Sequence, residues 1–112
     1  MAEMVQISWD EQGVARGIKV TSTLGLSYTY SIHYDQRGAQ VHINGKKGKT
    51  LIATAGYVAE LGCYRFTGVG FQPDRKLSEA RWPTLADAAA GAAQAHTKRS
   101  NEEAAAVIAA VM

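Results

Sequence analysis

The feature that most constrains this chain is a pair of neighbouring segments whose apolar residues can share one face in only one way. From Leu26 to Asp35, the residues Leu26, Tyr28, Tyr30, Ile32 and Tyr34 alternate with Ser27, Thr29, Ser31, His33 and Asp35. A period of two marks a strand with one buried face. After a turn at 35–38, Ala39, Val41 and Ile43 alternate with Gln40 and His42. If Tyr34 faces Ala39, then Ile32 faces Val41, Tyr30 faces Ile43, and every apolar residue lands on one side. A slip of one residue would send the whole set to solvent, so the pattern predicts an antiparallel hairpin together with its register.

The same reading extends in both directions. Val5, Ile7 and Trp9 alternate with Gln6 and Ser8, and a turn at 10–13 leads into a strand carrying Ile18 and Val20. The run NGKKGK (44–49) reads as a second hairpin turn, because Asn and Gly both tolerate positive φ. Residues 50–58 and 63–71 read as two further strands, and 57–61 reads either as strand or as a short helical turn capped by Gly62. A polar loop at 72–76 follows, and Trp82 before Pro83 closes the extended part.

The C-terminus changes period. Thr84 suits an N-cap, with Asp87 near the positive end of an alanine-rich helix and Lys98 and Arg99 near its negative end. Ser100 and Glu103 have the spacing of a second capping box, after which Ala104, Val107, Ile108 and Val111 form a stripe, with Met112 beside it. The expected fold is therefore α+β and one domain over 1–112. An antiparallel β-meander of about five to six strands over 4–82 precedes two helices, 84–97 and 101–111, packed on one face. Alanine lets a helix lie close to a sheet, so the bulk is expected from Trp9, Tyr28, Tyr30, Tyr34 and either Tyr64 or Phe66.

Composition excludes several function classes. Of 112 residues, 46% are hydrophobic and 20% charged, which suits a folded chain and not a disordered one. Cys63 is the sole cysteine, so neither an internal disulfide nor a multi-thiolate zinc site is expected. The first residues are acidic where a secretory leader is basic, and no run approaches a membrane span, so a cytoplasmic protein with no membrane partner is expected. The net charge is only +2, yet positive charge gathers in the middle of the chain. Lys46, Lys47, Lys49, Arg65, Arg75, Lys76 and Arg81 are the candidate contacts to a partner.

Each candidate chemistry competes with a plainer reading. GKKGKT (45–50) lacks the glycine that a phosphate-binding P-loop needs at 43, where Ile43 stands. Lysines at a hairpin tip can contact phosphates, and they also blunt sheet edges and keep loops soluble. His33 and His42 fall on the polar face of paired strands, directly opposite or one residue offset, but no third ligand accompanies them. Cys63 is the one thiol available to a histidine dyad and more simply a small buried apolar residue. The tyrosines of 26–34 could stack single-stranded bases, or they pack against the helices. No catalytic residue, metal or cofactor is expected.

The order of a curved antiparallel sheet and then a helix is similar to the Whirly and PUR-type nucleic-acid-binding folds. The segment RWPTLADAAAGAAQAH (81–96) resembles the strand-to-helix finish of short phage and prophage accessory proteins. That resemblance implies a mobile-element origin. With the small size, the absence of catalytic groups and the polarised charge, the expectation is a non-enzymatic accessory protein, of the anti-defence inhibitor kind, docking on a host protein or nucleoprotein. Direct binding of nucleic acid through the basic residues is the alternative. A second alternative is a homodimer formed through Val107, Ile108 and Val111.

Overall fold

The computed structural model describes residues 3–73 and 75–111. Six strands follow one another as an antiparallel meander in the order β1-β2-β3-β4-β5-β6: Met4–Trp9, Ala15–Thr21, Ser27–Asp35, Gly38–Gly45, Gly48–Val58 and Cys63–Gly68. A short helix, α1 (Arg75–Ser78), and a long one, α2 (Leu85–Val111), complete the α+β fold. The hairpin of β3 and β4 has the register that its alternation demands: Tyr34 faces Ala39, Ile32 faces Val41 and Tyr30 faces Ile43.

Local chemistry shapes the turns. At the β1–β2 turn, Asp10 Oδ1 accepts the backbone N–H groups of Gln12 and Val14 at 2.8 and 3.0 Å, and Oδ2 accepts from Arg16 at 2.9 Å. Those bonds, the one from Val14 first, hold the Asp10 carboxyl below its ordinary pKa. In the β3–β4 turn, Asp35 Oδ1 accepts from the Arg37 N–H at 2.7 Å, and Gly38 has φ 144° where any Cβ would strike the Ala55 carbonyl. The β4–β5 turn differs in detail from expectation. Asn44 and Gly45 belong to β4, Lys46 and Lys47 form the turn, and the positive φ falls on Gly48. The ambiguous stretch 57–61 divides: β5 runs to Val58, after which Gly62 donates to the Val58 carbonyl at 2.9 Å and closes a helical turn with φ 64°.

One face of the sheet receives α2. Ile18, Val20, Tyr30, Ile32, Val41 and Phe66 supply the bulk, and Ala88, Ala89, Ala92 and Ala93 pack against them. The helix also carries Gly91, where a Cβ would overlap the Trp82 indole. Thr84 caps the helix as expected, its Oγ1 accepting the Asp87 N–H at 3.1 Å. Inside the core, the Tyr30 hydroxyl lies 2.9 Å from His96 Nδ1 and 2.8 Å from Thr97 Oγ1, which gives the buried phenol partners at both ends of its hydrogen-bonding capacity.

Three expectations are corrected. The helices 84–97 and 101–111 are one helix of 27 residues, and Ser100 lies inside it. Splitting it would create two new ends with several unsatisfied backbone groups each, whereas a serine in a helix interior costs a few tenths of a kcal/mol, ~0.5 at most. Trp9 is not core: it is 57% exposed, because a bulge at Ser8/Trp9 and its place at the β1–β2 turn leave it beyond the reach of α2. Tyr34 is also largely out of the core, sending its hydroxyl to the Ala15 carbonyl at 2.6 Å with Arg16 over its ring.

Candidate functional site

The meander gives the sheet two ends. At one lie the turns β1–β2, β3–β4 and β5–β6, and there α2 begins beside Trp82 and Tyr64. At the other lie the β2–β3 and β4–β5 hairpin tips, and there α2 leaves the sheet. Asn101 donates to Thr23 Oγ1 at 3.2 Å and Arg99 to the Gly70 carbonyl at 2.9 Å, which are the last ties of the helix to the body. The last fully buried helical residue is Thr97. Beyond the tie at Asn101, residues 102–111 run on for roughly 15 Å at the helical rise.

Large apolar residues are exposed toward this end of the molecule, on either side of the polar exit itself. Leu24 and Leu26 flank the β2–β3 tip, Val69 follows β6, and on the projecting helix Val107, Ile108 and Val111 are 63%, 52% and 83% exposed. Met112, expected to extend the stripe, lies outside the described residues. The β4–β5 tip with Lys46 and Lys47 stands at the same end, and Lys49 faces Asn44 just behind it. Sequence reading missed Leu24 and Val69, and it put Leu26 on the buried face of the strand, whereas Leu26 lies in the β2–β3 turn before β3 begins at Ser27 and is 44% exposed. The available signal was two leucines flanking Gly25 in a turn, a place where large apolar residues gain no burial.

The structure divides the basic candidates. Arg65 pairs with Gly56 near the far end of β5, roughly 26 Å along the strand from the lysine tip. Arg75 and Lys76 are on α1, where Arg75 also reaches Glu79 at 3.2 Å, and Arg81 adjoins the Trp82–Tyr64 bridge. Asp74, in the expected 72–76 loop, lies outside the described residues. Only the three lysines share the apolar end. Arg65 instead lines two shallow hollows, one of about 400 Å³ with Asp35, Gln40, Thr54 and Tyr57, and one of about 510 Å³ with Phe66, Phe71 and Pro73.

On the open face, His33 faces Gln40 and His42 faces Ser31, a diagonal two residues apart and not the direct or one-residue offset expected. Their rings meet edge to face, with centroids 4.8 Å apart. Partial burial first, then His33 and Lys49, push the His42 pKa down. Among the described residues, no group of three or more His, Cys, Asp and Glu side chains is placed to hold a metal. Cys63 faces Val58 on β6, roughly 23 Å along the sheet from the row of His42 and two strands away, so thiol and imidazole do not meet. No helix of the described residues is long and apolar enough to cross a membrane. Comparison with family models, curated proteins and solved structures gave no match.

Proposed function

We propose that this chain is a non-enzymatic accessory protein that docks on a host protein through the end of the sheet from which α2 projects. One observation carries the reading. Leu24, Leu26, Val69, Val107, Ile108 and Val111 are all exposed, the two leucines beside Thr23 where Asn101 ties the helix down and the last three on the helix beyond it. Large apolar side chains left in water mark interaction sites when a partner gathers them into one surface. The lysines at the same end define the chemistry of the partner: an apolar groove rimmed by carboxylates, to which Lys46, Lys47 and Lys49 give charge complementarity. The likeness of 81–96 to phage accessory proteins supports an inhibitor of host machinery as the class.

The test compares proteins retained from a host lysate by the intact chain and by Leu24→Glu/Ile108→Glu. A partner held by the first and lost from the second, at unchanged melting temperature, supports docking through this end. Equal retention by both removes it.

A second reading is direct nucleic-acid binding. It is favoured by the open face of the sheet, which no helix covers and which presents Lys19, Thr29, Ser31, Gln40 and Lys49. Mobility shift with single-stranded and duplex DNA across a salt series tests it. Affinity falling steeply with salt supports this reading, and no shift at low salt ends it.

A further inference from the structure

The two edges of the sheet are finished differently. Beside β6, Trp82 forms a two-way backbone bridge with Tyr64, with N···O distances of 2.9 and 3.0 Å, and α1 packs against the same strand. At the opposite edge, β1 pairs with β2 alone among the described residues, so a second row of its backbone N–H and C=O groups has no strand beside it. Edge strands that stay single are very short, bulged or covered, or carry charge or proline. The one register shift here, at Ser8/Trp9, has its extra residue, Arg16, on β2 and leaves β1 regular. Met4–Trp9 (MVQISW) has neither a charged residue nor a proline.

We infer that β1 pairs antiparallel with β1 of a second copy of this chain, about a two-fold axis through Ile7, to join two sheets into one. Val5, Ile7 and Trp9 point to the helix-bearing side, Val5 and Ile7 half-buried and Trp9 exposed. Opposed residues of an antiparallel pair share a face, so the axis must pass through a residue and not between two. An axis through Gln6 sets Trp9 against the partner's Glu3. An axis through Ile7 sets Ile7 on its own mate, covers Trp9 with the partner's Val5, and places Gln6 against the partner's Ser8. Of the two axes that pair five residues of β1, only this one turns the exposed aromatic of the edge into packed surface within the strand, and it brings no like charges together. An axis through Ser8 would set Trp9 against the partner's Ile7 but pairs only Ile7–Trp9 within β1.

Size sets the strength. A ladder from Val5 to Trp9 is roughly 17 Å long. Even with each tryptophan covering ~150–250 Å², the contact falls in the class below ~1,200 Å². The dimer is thus reversible, and this inference stands apart from the docking end proposed above.

Sedimentation velocity on the full chain, across a roughly hundredfold concentration range around the micromolar, should show a monomer–dimer equilibrium. Trp9→Glu, at an exposed position, should weaken it at least ~10-fold. Ile108→Glu, on the projecting helix, should leave it unchanged. Hydrogen exchange on the unaltered protein gives a readout free of any variant: amides of Met4–Trp9 slow as the dimer forms and those of β6 do not. Three results overturn the inference. They are a chain monomeric throughout, a dimer broken by Ile108→Glu and not by Trp9→Glu, and association without slowing in β1.

Discussion

The two halves of α2 both carry alanine and have opposite fates: 85–97 holds seven alanines in 13 residues, and 98–111 holds five in 14 behind the polar run KRSNEE. In 85–97, Ala88, Ala89, Ala92, Ala93 and Ala95 are buried under the sheet's large side chains; in 98–111 the alanines, and Val107, Ile108 and Val111 with them, are mostly exposed. The helix is continuous across the boundary, and an Arg99–Glu103 pair at 3.2 Å bridges one turn just past it. An alanine by itself therefore does not decide burial here, since Ala105, Ala106, Ala109 and Ala110 are exposed. What decides it is whether a sheet lies within reach, and the sheet ends near Thr23 and Gly70.

Substitution to aspartate at matched alanines tests that contrast most severely. Ala92→Asp places a charge where no partner can reach it and should cost at least about 3 kcal/mol in denaturant unfolding. Ala105→Asp should stay within about 0.5 kcal/mol. Equal effects would break the comparison, because the projecting half would then be part of the core.

Tyr30→Phe sharpens it from the sheet side. Loss of the hydroxyl leaves Thr97 Oγ1 and His96 Nδ1 without their shared partner, and about 1–3 kcal/mol of stability should go with it. The phenol itself is no proton switch, since burial raises its pKa to about 12.

Smaller still is the pH dependence of the same network. Burial, then Arg99, depresses the His96 pKa below the ordinary imidazole value of 6.5, against a small opposing pull from Glu103. A depressed folded-state pKa means that the unfolded chain takes up the proton first. The stabilisation is complete above 6.5 and is lost as pH falls from there through the folded value. Melting temperature should thus decline from about pH 8 to about pH 5, and His96→Gln should flatten the decline. His42, depressed in the same direction, contributes what slope remains.

The least effect is expected from Ile108→Glu, within about 0.5 kcal/mol by chemical denaturation. A loss above about 1 kcal/mol would mean that the projecting stripe holds the fold together and is not a free surface.

Much of this architecture was legible in the chain because its signals are local. The alternation in 26–35 and 39–43 has one self-consistent pairing, and it is the pairing observed. Thr84 before an alanine run marks a helix start through one side-chain bond to a backbone N–H three residues on. The capping-box spacing of Ser100 and Glu103 misled, because the motif describes an end and nothing between Thr97 and Val111 breaks the helix: no glycine and no proline. Of the candidate site, Val107, Ile108 and Val111 were visible as a stripe. Leu24, Leu26 and Val69 became part of it only when the fold placed their turns beside the helix exit.

By itself, then, the sequence determined strand order, the register of the central hairpin and the start of the long helix, since each depends on contacts between near neighbours along the chain. Only the tertiary structure decided which strands the helix covers. That placement left Trp9 exposed on an uncovered edge although its parity points inward. Alternation says which face a side chain takes, but whether that face is occupied depends on where a helix tens of residues away comes to lie.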